Sequence, residues 1–260
     1  RNQLVIVTPF TLSGAMAPVT LVGALAQQTA ECLVALALLQ VIRPGAPVAY
    51  GSFTSNVDMK TGAPAFGTPE YVRATQISGQ LARHYRLPWR ASNANAANTL
   101  DAQATWESFA SLWACSSAQA NIVFHAAGWM EGGLTASFEK FVIDCEMLQQ
   151  IAYYHQPISV DEDDLAVQAI KDVGPTGHFL GSDHTRSRYK TAFYKPFLSD
   201  WNNFETLQER GALTTPQRAN YIYKEALKNY EPPPMGEQVR EELEAFVLKR
   251  KKEGGAPTDF

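Results

Sequence analysis

The stretch NIVFHAAGWMEGGL, residues 121–134, decides how this chain is read. Ile122–Phe124 is an apolar run of strand length that stops at His125. Trp129, Met130 and Glu131 follow between glycines. Strand interiors bury Val, Ile and Phe, so His, Trp and Glu gathered just past a strand end point to the wall of a pocket. Gly128, Gly132 and Gly133 allow the backbone to turn sharply there, and the small Ala126 and Ala127 leave room for a ligand. A helix over about Ser137–Tyr154 completes one strand-then-helix unit.

Working outward, three more such units precede it. Leu4–Val7 is an apolar run, followed by a Gly/Pro-containing loop and a long helix from about Val19 that Arg43-Pro44-Gly45 stops. Pro47–Phe53 is the second strand; a polar loop then leads to a helix opening at Pro69, in the first-turn position proline tolerates. The third unit is Trp89–Ser92 with a helix near Asp101–Ala118, Asp101 being read as its N-terminal residue. Nearly continuous apolar strands alternating with helices predict a parallel sheet with helices packed on it.

Two architectures fit that alternation: a doubly wound open sheet and a (β/α)8 barrel. No G-x-G-x-x-G follows the first strand, so the dinucleotide-binding open sheet loses its main signal. All four strand ends carry unusual residues: Thr8-Pro9, Ser52–Ser55, Asn93 with Asn95, and His125–Trp129. Barrel enzymes place their chemistry at such ends. The expected fold class is therefore α/β of the (β/α)8 TIM-barrel type, this chain supplying about four β/α units plus a helical C-terminal extension. The expected division is 1–157 for the barrel half and 158–260 for the extension. A half barrel has open edges, so missing N-terminal sequence or a second copy is expected to cover them, and a homo-oligomer is anticipated. RNQLVIVTPF enters a strand within three residues and lacks an initiator methionine, which reads as a piece of a longer polypeptide.

Bulk properties narrow the function. A net charge of -4 carries no basic footprint for nucleic acid. Three widely spaced cysteines, Cys32, Cys115 and Cys145, suit neither a disulfide framework nor a zinc motif, and read as reduced thiols in a cytoplasmic protein. No signal peptide is visible, and the polar Gln27, Gln28 and Glu31 interrupt the most apolar helix, which argues against a membrane span. Residues 1–130 hold 12 of the 48 charged side chains, so the first half reads as buried and the second as solvated. Ser159 and Glu162 stand at capping-box spacing, making the acidic run 161–164 a helix first turn. The last helix, from Glu237, has acids early and KRKK late, which complements its dipole.

Three separated motifs in one order carry a family resemblance: LPWRASNANAANTLDAQATWES, ANIVFHAAGWMEGGL with SFEKFVIDCEML, and GPTGHFLGSDHTRSRY. In these the chain resembles the C-terminal half of the trimethylamine:corrinoid methyltransferase family. The resemblance implies a (β/α)8 barrel with a helical extension. It also implies methyl transfer from a tertiary or quaternary amine to the cobamide (cobalamin) cobalt of a separate corrinoid protein. Methanogen members place a pyrrolysine in the barrel, in the loop corresponding to Ser92–Asn98; here only ordinary residues stand there. That departure points to the pyrrolysine-free, glycine betaine methyltransferase-like members.

The chemistry of the residues agrees. A quaternary ammonium already carries a good leaving group, so the protein must orient one N–CH3 bond and exclude water. Aromatic faces hold such cations. Trp129, Phe53 and Tyr50 lie at or near strand ends as candidate faces, and Glu131 is counted with them as substrate-binding. His125, Asn93 and Asn95 are the catalytic candidates, read as hydrogen-bonding a substrate carboxylate. The plainer readings are that Trp129 and Phe53 cap the core and that Glu131 caps the Gly132-Gly133 turn. His178 and His184 are read as a segment folding back across the barrel mouth rather than as metal ligands. Two other classes stay open: a barrel that binds a quaternary amine without catalysis, and an unrelated barrel lyase or aldolase. The absence of lysine from all four strands weakens the last.

Overall fold

The four apolar runs form one parallel sheet in chain order. A computed structural model describes residues 3–254 of the chain. Its elements begin with β1 (Val5–Val7), β2 (Thr11–Ser13), α1 (Leu21–Ile42), β3 (Val48–Gly51), β4 (Thr54–Val57), β5 (Pro64–Ala65) and α2 (Pro69–His84). Next come β6 (Trp89–Ser92), α3 (Ala102–Ser117), β7 (Ile122–Phe124), β8 (Trp129–Met130), β9 (Thr135–Ala136) and α4 (Phe138–Tyr154). The main sheet runs β1-β3-β6-β7, every neighbouring pair parallel.

Strand parity sorts the side chains onto two faces. Tyr50, Trp89 and Ala91 pack with Cys32 and Leu36 of α1, Ala82 of α2 and Cys115 of α3. Val123 joins this cluster and also a second one, built by Leu112 of α3 with Val142, Ile143, Met147 and Ile151 of α4. All four helices thus lie on one side of the sheet. Residues of opposite parity, among them Ala49, Gly51, Arg90, Ser92, Ile122 and Phe124, face the other side. The anticipated parallel sheet with packed helices is therefore present, as an open four-stranded array among the described residues.

Local signals account for the helix starts. Thr68 accepts from Tyr71 N ahead of Pro69, and Asp101 accepts from Gln103 N at 2.8 Å, which makes it the N-cap of α3. Ser137 caps α4. The capping box expected at Ser159 is corrected: Asp161 is the N-cap, accepting from Asp163 N and Asp164 N, while Ser159 donates to Asp161. The run is also not one helix. Ala166 turns left-handed at φ 52° and splits it into α5 (Glu162–Leu165) and α6 (Val167–Val173).

Two features depart from the expected pattern. The loops after β1 and β3 contain a second small sheet, β2-β4-β5, in which Thr11 stands opposite Thr54 and their hydroxyls bond. These strands are polar, so hydrophobic periodicity does not announce them. Helix α1 is, by length and composition alone, apolar enough to cross a membrane. Two of its polar residues make core bonds: Gln28 is fully buried and reaches Tyr50 Oη and Ser78 Oγ, and Thr29 bonds Tyr50 Oη, while Gln27 and Glu31 bond each other on the exposed side.

The chain continues as α7 (Asp183–Arg188), α8 (Phe204–Glu209), α9 (Thr215–Lys228) and α10 (Glu237–Lys252). It divides into two compact units, one ending at Tyr223 and one starting at Lys224. In the first, buried Glu146 of α4 accepts from Tyr194 Oη, Phe197 N and Leu198 N, which ties the segment 194–198 onto the second cluster. In the second, α10 opens with Glu237 and closes on Lys249–Lys252, as read from the sequence.

Candidate active site

Beyond the carboxyl ends of β3, β6 and β7 lies a cavity of about 250 Å³, lined by Phe53, Asn93, Ala94, Asn95, His125, Trp129, Gly132 and Gly133. Five of the sequence-predicted site residues meet here: His125, Asn93, Asn95, Phe53 and Trp129. The aromatic wall is a chain of edge-on contacts. His125 stands 5.3 Å from Trp129 and 6.3 Å from Phe53, near-perpendicular to both rings. Phe66, which sequence reading missed, backs Phe53 at 5.3 Å.

The backbone here is unusual in a way that builds the site. His125 is left-handed at φ 55°, so the chain leaves β7 abruptly and swings the imidazole toward Phe53. Trp129 is not on a free loop: it belongs to the hairpin β8-β9, and Gly132 at φ 61° closes the turn. A Cβ on Gly132 would sit 2.9 Å from the Phe66 ring, so this approach requires glycine. The hairpin is bonded to the loop after β6, with Glu131 N donating to Ala97 O and Gly132 N to Asn95 O. Glu107 holds the same loop from the other side, accepting from Ala96 N and Ala97 N.

Three expectations require correction. Tyr50 is absent from the cavity: it is fully buried on the helix face, its hydroxyl bonded to Gln28 and Thr29, because its parity is opposite to that of Phe53. Glu131 is exposed and accepts from Thr135 Oγ1, within its own hairpin. His178 and His184 do not cover this site; they line a separate cleft of about 780 Å³ formed by residues 162–188. There His184 approaches Asp163 O, and Arg188 pairs with the Asp163 carboxylate.

The expected donors to a carboxylate also change. Asn93 Nδ2 donates to Ala126 O and Asn95 Nδ2 to Trp129 O, both also reaching Ser108 Oγ. Their amide nitrogens are committed. The residue suited to an anion is one that sequence reading passed over. Arg90 is 5% exposed on the inner face of β6, its guanidinium 4.5 Å from the Phe124 centroid and 5.9 Å from that of Phe53. Among the described residues it has no carboxylate partner, and its Nε has no hydrogen bond. Burial lowers its pKa, and burial together with the Arg90 charge lowers that of His125, which favours the neutral imidazole. The signal for Arg90 was available: one charge inside a four-residue strand, WRAS.

In this α/β protein an aromatic, amide-floored pocket thus stands at the strand ends with a buried arginine, free of any carboxylate partner among the described residues, beside it. The family model for trimethylamine methyltransferase (MTTB) matches residues 1–255, and the chain belongs to that family. It is 39% identical over 255 residues to a glycine betaine methyltransferase of Desulfitobacterium hafniense (strain Y51), covering 98% of this chain and 53% of that protein. A trimethylamine methyltransferase of Desulfitobacterium hafniense (strain DSM 10664 / DCB-2) is 35% identical over 248 residues, covering 94% and 49%. One from Methanosarcina barkeri is 32% identical over 247 residues, covering 95% and 50%. The chain spans about half the length of these relatives.

Proposed function

We propose that the intact protein transfers a methyl group from a quaternary, carboxylated amine of the betaine type to the cobalt of a corrinoid carried by a separate protein. The observation that carries this reading is the pairing of an aromatic wall with a buried, unpaired Arg90. Phe53 and Trp129 suit an ammonium head, and Arg90 suits a carboxylate. The names of the relatives, glycine betaine and trimethylamine methyltransferases, support the same chemistry. The lining offers rings, amides and an imidazole but no thiolate or carboxylate. Such a set fits the methyl donor, and the metal arrives with the acceptor as second substrate.

In the transfer, the C–N bond breaks and its electron pair returns to nitrogen, leaving a tertiary amine. The methyl carbon bonds to the reduced cobalt of the acceptor, whose electron pair forms the new bond. What this chain supplies is orientation: Arg90 anchors the carboxylate, the rings fix the ammonium, and the hydrogen-bonded hairpin keeps Trp129 in place. A neutral His125 beside Arg90 adds no second positive charge to repel the substrate.

The sheet itself is read as half of a (β/α)8 barrel, with residues 158–260 as a helical extension. Four parallel strands in chain order, helices on one face and unsatisfied polar atoms on the other support this. The open edges β1 and β7 would then be closed by further chain or by a second copy. Three unpaired cysteines, two of them fully buried, suit a reducing compartment such as the cytoplasm.

The test mixes the complete polypeptide with betaine and a reduced corrinoid and follows the corrinoid spectrum to its methylated form. Turnover is expected with carboxylated quaternary amines. Betaine binding without any spectral change would instead establish a binding protein. Trp129→Ala is expected to weaken betaine binding by about 1–2 kcal/mol, with Trp129→Phe losing less. Unchanged affinity in a folded Trp129→Ala would reduce Trp129 to a cap on the core.

A further inference from the structure

The two asparagines of the pocket offer a ligand only one end of their amides. Asn93 Nδ2 donates to Ala126 O at 3.3 Å, and Asn95 Nδ2 to Trp129 O at 2.9 Å. A backbone carbonyl can only accept, so these partners fix which end of each amide is nitrogen. The two Oδ1 atoms are left buried and without a hydrogen bond, on residues 1% and 2% exposed that line the cavity. A buried acceptor without a donor is costly, and a pair of them on one cavity floor calls for a positive or donating guest.

The orientation is enforced from beneath. Ser108 Oγ lies at 2.9 Å from Asn95 Nδ2 and 3.4 Å from Asn93 Nδ2, and Lys140 Nζ donates to it at 2.7 Å. Lys140 also pairs with Asp144, and both side chains are fully buried. The second Asp144 oxygen accepts from Gly128 N at 2.8 Å, in the turn that carries His125 to Trp129. Flipping either amide would set its oxygen against a backbone carbonyl. The network therefore fixes both amides with their oxygens unpaired, on residues that line the cavity.

We propose that Asn93 and Asn95 present this pair of amide oxygens to the nitrogen end of the amine, selecting for positive charge, with Lys140 as the positioning residue that fixes them. The inference rests on the amine reading given above and refines it. Aromatic faces alone favour a fully methylated ammonium. Acceptor oxygens favour an ammonium that keeps one N–H, because that hydrogen can be donated to them. The pocket then retains the protonated product, which has lost a methyl and gained a proton, at least as firmly as its substrate.

The test is calorimetry on the complete polypeptide with three ligands: betaine, N,N-dimethylglycine, and the neutral-headed isostere of betaine in which carbon replaces nitrogen. In the wild type, dimethylglycine is expected to bind as tightly as betaine or tighter, and the isostere at least about tenfold more weakly than betaine, a difference of 1.4 kcal/mol. Asn95→Leu and Asn93→Leu should each weaken dimethylglycine by about tenfold while leaving the isostere unchanged. Lys140→Met should lower the same cation-to-isostere ratio, which a purely structural loss would not move. Dimethylglycine bound more than about tenfold more weakly than betaine by the wild type would overturn the proposal without any variant. Leucine variants that keep the wild-type ratio would do so as well. Failure of the wild type to bind any amine would instead remove the amine reading itself, and this inference with it.

Discussion

Strand β6 is four residues long, and its two faces, two residues each, differ in every respect that matters. Trp89 and Ala91 point to the helices, where Trp89 Nε1 donates to Ser52 Oγ and the rest of the indole is enclosed by the first core cluster. Arg90 and Ser92 point the other way, and there Arg90 Nε and Ser92 Oγ are buried without partners. One face is complete by itself and the other is waiting. Native interiors seldom leave polar groups orphaned, so the two faces of one short strand are chemically opposite.

That contrast can be broken most directly on the finished face. Trp89→Ala should destabilise the protein by about 3–5 kcal/mol, read from denaturant unfolding, since a large side chain is removed from a closed core. A loss under about 1 kcal/mol would mean that the helix face is not the core. The inner face should behave oppositely. Arg90→Met removes a buried unpaired charge, and the fold should be unharmed or slightly stabilised. Betaine affinity should nevertheless fall by about 1.5–3 kcal/mol, while that of tetramethylammonium, which lacks a carboxylate, is retained. Equal losses for both ligands would remove Arg90 as the carboxylate anchor.

The smallest effect expected is a pH dependence. The His125 pKa is lowered in the folded state, so the unfolded chain takes up this proton first as pH falls. Stability is then lost as pH drops through the unfolded histidine value, about 6.5. Unfolding measured on either side of that value should show a steeper loss for the wild type than for His125→Asn, a residue that tolerates the left-handed backbone. Equal slopes would show that the imidazole is not desolvated.

Much of the sheet was legible because the main strands are largely apolar and three of the four helices that follow them open on a side-chain cap. Asp101 and Ser137 could be read at sight, since a cap acts on residues two or three places away. The second sheet was not legible: Thr11 and Thr54 recognise one another across 43 residues through hydroxyls, and no local pattern reports that. Tyr50 was misplaced although the information was present, since residues 50 and 53 have opposite parity along an extended chain. Five of the eight residues lining the pocket were found in the sequence because each lies at or just past a strand end. Their chemistry was not, because amide orientation depends on Ser108, Ala126 and Trp129, which only the fold brings within reach.

The left-handed backbone at His125 has a practical side. A non-glycine residue held there costs about 1–2 kcal/mol, and glycine adopts the conformation freely. Position 125 is in effect a glycine site occupied by an imidazole. Removing the ring with His125→Gly relieves backbone strain and empties a ring-sized volume between Phe53 and Trp129. The position is thus a natural socket: a vacancy shaped for free imidazole or another small heterocycle, through which an external base can be installed in the pocket and withdrawn again.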